Sequence, residues 1–236
     1  MSDSTQVAAR PWEAVFSDEE RQVYDLYRRP RRSELPWDEM ALLVIDVTTA
    51  FLGAKLPTLE AARQGRTACG LPGWESLAAT RVLLDAFHAA KRPVIYTRAA
   101  PEGHLGGATI GETESGKGND IAAEIAPSGE DVVMEKARAS AFFGTPLTSY
   151  LVRSNVRGLV IVGGTTSGCV RASVLDASSL GFSVALAYDG CFDRSQLSHA
   201  VALYELDVKY AVVLDAATAS HRVLAAAEAT NASVRA

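Results

Sequence analysis

The sequence predicts a three-layer α/β/α fold built on a doubly wound, mainly parallel six-stranded sheet. Three observations carry this: six short, near-continuous apolar runs, helical patterns between them, and a length of 236 residues that suits one α/β domain with a sizeable core. Strands that are apolar at nearly every position are covered on both faces. Helices between them supply the crossovers that parallel strands require.

The elements follow in order. Residues 1–37 read as an N-terminal helical arm, with a helix in "SDEERQVYDLY" and a linker in "RRPRRSELP". Residues 38–236 form the domain. Its first strand is "ALLVIDV" (41–47), followed by a helix in "WESLAATRVLLDAFHAAK" (74–91) and a second strand, "PVIYT" (93–97). Residues 99–120 are rich in glycine and polar side chains and read as a surface loop bordering a pocket. Then come the strand "DVVME" (131–135), the helix "TPLTSYLVRSN" (145–155), the strand "GLVIVG" (158–163) and the helix "CVRASVLDASSLG" (169–181). The strand "FSVALAY" (182–188), the helix "QLSHAVALYELD" (196–207) and the strand "YAVVLD" (210–215) complete the pattern, without internal repeats.

Composition excludes several functions. With 28 acidic against 23 basic residues the net charge is −5, which offers no general attraction to nucleic acid or anionic membrane. The densest basic stretch, "YRRPRRSE" (27–34), sits beside acidic residues and reads as solvated. No apolar run is long enough to span a bilayer, and the N-terminus lacks a basic start followed by a long apolar stretch, so a cytoplasmic protein is expected. Cys69, Cys169 and Cys191 are an odd number without CxxC or Cys/His spacing, so neither a disulfide framework nor a metal site is expected.

Open parallel sheets place their sites outside the carboxyl ends of the strands. Asp46 stands at such an end, where an unpaired carboxylate is costly unless it merely caps a turn. Lys136 follows the third run; it is either a solvated side chain or that carboxylate's partner. Cys169 follows "GGTTSG" at a strand-to-helix turn, where it is either a small buried hydrophobe or a thiol activated beside anion-binding amides. A nucleophile next to oriented N–H groups suits acyl transfer. None of His88, His104, His199 and His221 marks itself as the base, so Asp46 is the better candidate.

The motifs "LLVIDVTTAF", "EKARASAFFGTPL", "GGTTSGCVRASVLDA" and "GCFDRSQLSH…LDVKYA" resemble the cysteine-hydrolase branch of the isochorismatase-like superfamily over roughly residues 38–215, and within it the N-carbamoylsarcosine and maleamate amidohydrolases. The resemblance implies a catalytic triad of Cys169, Asp46 and Lys136. It also implies a cis peptide between Gly164 and Thr165 that turns the Thr165 and Cys169 amides toward one oxyanion, and a substrate site including Thr166 and Arg194. The expected partner is a small amide or carbamoyl compound carrying a carboxylate, with no cofactor, in a homo-oligomer, a tetramer by analogy. Arg171, Cys69 and Cys191 read as structural. Two departures leave the substrate open: Ala202 stands where relatives often have asparagine, and "KLPTLEAARQGRTACGLPGW" (55–74) matches nothing assignable. Isochorismate-type vinyl-ether hydrolysis needs no cysteine, and a non-catalytic binding protein would not need all three triad residues.

Overall fold

The computed structural model describes residues 10–28, 34–100 and 118–235. The six apolar runs become β1 (Met40–Ile45), β2 (Val94–Ala99), β3 (Val132–Lys136), β4 (Gly158–Gly164), β5 (Ser183–Phe192) and β6 (Val212–Leu214). They form one sheet of order β3-β2-β1-β4-β5-β6, with every pairing parallel. β1 is buried along its whole length, and its alternation feeds two cores. Ala41, Leu43 and Ile45 pack with Leu147 and Leu151 of α6 (Leu147–Arg153), Val174 of α7 (Arg171–Ser179) and Leu203 of α8 (Gln196–Lys209). Met40, Leu42 and Val44 pack with Leu83 and Phe87 of α5 (Leu77–Ala89) and Val223 of α9 (Ala216–Arg235).

The structure redraws several elements. The helix expected over 74–91 is divided into α4 (Leu71–Glu75) and α5 at Ser76, whose hydroxyl donates to the Gly73 carbonyl. The unassigned stretch before it contains α2 (Thr49–Leu52) and α3 (Thr58–Gln64). β5 continues past the "DG" pair to Phe192 through an irregularity opposite Ile161–Gly163. Gly190 allows this, because a Cβ there would stand 2.6 Å from a Val162 methyl. The helix α9 has a small-residue, polar pattern that gave no periodic signal.

The N-terminal segment is docked on the domain. α1 (Asp18–Tyr27) opens with a capping box in which Ser17 and Glu20 satisfy each other's backbone amides. Phe16 and Tyr24 pack on Tyr204 of α8, and the Arg28 guanidinium lies 2.7 Å from the buried Asp207 carboxylate. Arg28 therefore departs from the solvated reading of its basic stretch. Residues 29–33 of that stretch, and 101–117 of the expected loop with His104, lie outside the described residues. Among the described residues, no helix is long and apolar enough to cross a membrane.

Candidate active site

Sequence order runs outward in opposite directions from the adjacent strands β1 and β4, so their carboxyl ends form the sheet's switch point, the place where open parallel sheets generally carry their sites. Asp46 follows β1 directly. Its φ of 52° is a left-handed value that aspartate tolerates better than most residues, and its amide donates to the Thr97 carbonyl of β2 at 3.1 Å. On the neighbouring strand Gly163 has φ 113°, and a Cβ would meet the Ile45 carbonyl oxygen at 2.1 Å. Only glycine lets β4 pass the end of β1 this closely.

Lys136 ends β3, two strands from β1. Strands lie about 4.8 Å apart, so the two backbones are roughly 10 Å apart and the side chains of Lys136 and Asp46 together span the end of β2. Its Nζ stands 2.7 Å from Asp46 Oδ2 and 3.2 Å from the Arg138 carbonyl. The other carboxylate oxygen, Oδ1, accepts from the Thr97 hydroxyl at 3.0 Å. Both side chains of the ion pair are only 2% exposed.

Cys169 sits inside a π-helical turn, Thr166–Val170, that leads into α7. It is thus two residues ahead of the regular helix rather than at its first residue. The Gly164–Thr165 peptide is cis. The Thr165 carbonyl accepts from the amides of both Gly168 (2.9 Å) and Val170 (3.2 Å), and Gly168 departs from helical geometry within the turn. The Ser173 hydroxyl donates to the Cys169 carbonyl at 2.7 Å and accepts from the Ala141 amide at 2.9 Å, tying the turn to the loop after β3.

The buried thiol feels the charges of both Asp46 and Lys136. Burial pushes it up to about 12; the negative Asp46 adds to the rise and Lys136 opposes it. Burial works against the Lys136 ammonium as well, but Asp46 and Cys169 more than offset this and hold it above its ordinary value. The resting cluster is therefore a neutral thiol beside a carboxylate–ammonium pair. Of the two groups beside this thiol, a carboxylate can accept a proton and an ammonium can offset a negative charge on sulfur.

The structure thus brings Asp46, Lys136 and Cys169 together and places the cis peptide beside them. Thr166 is fully buried, and its hydroxyl is engaged by the Phe192 carbonyl (3.1 Å) and His199 Nδ1 (2.7 Å), so it faces the interior rather than a crevice. Arg194 is exposed; its Nη1 donates to the Thr67 carbonyl at 2.8 Å and lies 3.7 Å from the Cys69 sulfur. It fastens the unassigned 55–74 stretch to the end of β5. Sequence reasoning weighed His199 only as a base and gave Asp193 no role; the signal for Asp193 was its place just after a strand that was ended too early. Among the described residues, no group of three or more His, Cys, Asp or Glu side chains is arranged to hold a metal ion.

Comparison with known proteins fits this geometry. The isochorismatase domain matches residues 40–218, most of the chain. The chain belongs to the isochorismatase family. It is 39% identical over 101 residues to a maleamate amidohydrolase of Pseudomonas putida, a match covering 42% of this chain and 47% of that protein. It is 40% identical over 86 residues to an N-carbamoylsarcosine amidase of an Arthrobacter species, covering 36% and 33%. The matched stretches are thus less than half the length of these relatives. Among solved structures, a cysteine hydrolase from Pseudomonas syringae superposes with a TM-score of 0.72 at 19% identity, covering 84% of this chain and 99% of that one. An N-carbamoylsarcosine amidase from Thermoplasma acidophilum gives 0.61 at 24% identity, covering 75% and 96%. Both share the fold of this family member.

Proposed function

We propose that this isochorismatase-family protein hydrolyses a small linear amide or carbamoyl compound through a cysteine acyl-enzyme, with Cys169 as nucleophile, Asp46 as base and Lys136 as electrostatic partner. The observation that carries the reading is the thiol buried against a carboxylate–ammonium pair at the sheet's switch point. Asp46 takes the thiol proton as sulfur adds to the substrate carbonyl. The oxyanion is held by backbone amides of the turn; among the described residues the Thr165 amide has no backbone acceptor. Collapse of the tetrahedral adduct breaks the C–N bond, and the proton on Asp46 passes to the leaving nitrogen, which departs as ammonia. Water then attacks the thioester, giving one proton to Asp46, and the acid leaves as sulfur is reprotonated. A carbamoyl substrate would yield a carbamic acid that loses carbon dioxide.

Matches to proteins named N-carbamoylsarcosine amidase and maleamate amidohydrolase favour a substrate that carries a carboxylate, with N-carbamoylsarcosine first and maleamate second. Arg194 suits that group, since a guanidinium has five donors and, among the described residues, Nη1 alone is engaged, by Thr67 and Cys69. The test is ammonia release across N-carbamoyl amino acids, maleamate, nicotinamide and uncharged analogues, using wild type, Cys169→Ala and Arg194→Lys. Turnover of a carboxylated member is expected, abolished by Cys169→Ala. Arg194→Lys should weaken kcat/KM for the acid far more than for its uncharged analogue. Full activity in Cys169→Ala would sink the mechanism, and equal losses on acid and analogue would remove the carboxylate role.

A further inference from the structure

The turn that carries Cys169 is gripped from one side by two buried side chains that follow the extended end of β5. Asp193 is 5% exposed and accepts three hydrogen bonds: from the Ser167 amide at 2.8 Å, the Ser167 hydroxyl at 2.7 Å and the Arg194 amide at 2.7 Å. Ser167 lies two residues before the nucleophile. His199, 8% exposed on the first turns of α8, reaches Thr166 one residue earlier. A carbonyl can only accept, so the Thr166 hydroxyl must donate to Phe192, and the 2.7 Å contact with His199 requires Nδ1–H to donate to Thr166. Burial depresses His199 below its ordinary value, with Asp193 opposing, which suits this neutral tautomer.

Small residues surround these contacts. A Cβ on Gly168 would meet the Thr165 hydroxyl at 2.6 Å, and one on Gly164 the Phe192 ring at 2.4 Å. The turn has no bulky side chains of its own at these points to fix it, so its position depends on polar anchors. Charge-assisted bonds to a buried carboxylate are the stronger kind and are directional.

We propose that Asp193 and His199 are positioning residues for the nucleophile, holding the Thr166–Val170 turn so that the Cys169 sulfur meets Asp46 and Lys136. Neither touches the reacting atoms; both act through Thr166 and Ser167. The catalytic role of Cys169 rests on the reading above, but the bracing does not, and the experiment separates the two.

Alkylation of Cys169 by iodoacetamide, followed by mass spectrometry across pH, reports the sulfur's surroundings without any amide substrate. Asp193→Asn puts an amide donor against N–H donors and should free the turn. The pH midpoint for Cys169 alkylation should then fall by at least about one unit toward that of an ordinary thiol, near 8.5. In the same variant kcat should drop about tenfold or more, with KM changed much less, as for a loss confined to the transition state. Ser167→Ala, at an exposed residue, removes one of the three donors and should shift both readouts in the same direction by less. His199→Asn can place an amide N–H where Nδ1–H stands and should stay near wild type in both readouts, whereas His199→Leu should resemble Asp193→Asn. Circular dichroism identifies any variant that fails to fold, and the Ser167→Ala and His199→Asn measurements then decide.

An unchanged alkylation midpoint in folded Asp193→Asn or His199→Leu would overturn the proposal, even if kcat fell. Equal loss in His199→Asn and His199→Leu would remove the hydrogen-bonding role of the histidine. If wild type releases ammonia from no amide, the proposed activity fails while the alkylation profiles still decide the bracing.

Discussion

Two aspartates in this molecule are buried and paired with cations, yet they differ in what the pair leaves exposed to chemistry. Asp207, with a fully buried side chain, takes Arg28 at 2.7 Å and Arg10 at 3.7 Å and accepts the Val213 amide at 3.2 Å. Both arginines come from the N-terminal segment and remain partly exposed, so the carboxylate works as a stitch between that segment and α8. Asp46 takes Lys136, which is as buried as itself, and a thiol shares both partners. Burial of an ion pair does not identify a reactive site, because a buried pair often adds little net stability and occurs for structural reasons as well. What distinguishes Asp46 is a buried thiol beside the pair, the group that the proposed mechanism uses as nucleophile.

The comparison can be broken by exchanging the consequences. Asp46→Asn and Lys136→Ala should each lower kcat by about 10²- to 10⁴-fold with KM little altered. Removing one partner of this enclosed pair should also cost about 3–5 kcal/mol of stability. Steady-state ammonia release and urea denaturation measure the two effects, and a variant with near-normal kcat would demote its residue to a structural one.

Asp207→Asn should show the opposite balance. It loses the charge that two arginines face and should destabilise the fold by about 1.5–3 kcal/mol, the range for hydrogen bonds to charged groups, with kcat unchanged. A lowered kcat at full stability would mean that the N-terminal segment takes part in the chemistry.

The smallest expected effect concerns alkaline pH. Burial raises the Cys69 and Cys169 thiols from 9.0 to about 12, and raises Cys191 too. Above pH 9 the unfolded chain loses thiol protons that the folded chain retains, so the unfolded state binds fewer protons and stability falls as pH rises. Lys136, held above its ordinary value, has the same sign at higher pH. The contribution is complete below about pH 9 and declines toward about 12. The melting temperature should therefore fall progressively above pH 9; a flat profile to pH 11 would mean that these thiols are not shielded as the structure has them.

The parallel sheet was legible because strands covered on both faces must be apolar throughout, and the "TTSGC" run was legible because small residues crowd where a chain turns tightly. The same rules misread the end of β5: "DG" is a common turn signal, yet here Gly190 admits a Val162 methyl and lets the strand continue. That early ending hid Asp193, whereas His199 was placed in its helix and weighed only as a base. The arginine-rich stretch misled for a related reason, since a charged residue looks solvated until its partner, 179 positions away for Arg28, is known.

The sequence by itself determined the order of the six strands and of the main helices between them, the strand ends near which Asp46, Lys136 and Cys169 stand, and the isochorismatase-like resemblance, because each is written in local periodicity and short motifs. Only the tertiary structure decided that Lys136 reaches across β2 to Asp46, that Thr166 faces inward, that Arg194 fastens residues 55–74, and that Asp193 and His199 grip the Cys169 turn. The physical reason is separation along the chain. A hydrogen bond between residues 26 to 127 positions apart leaves no mark on its neighbours, and it exists only once the sheet has brought the strand ends together.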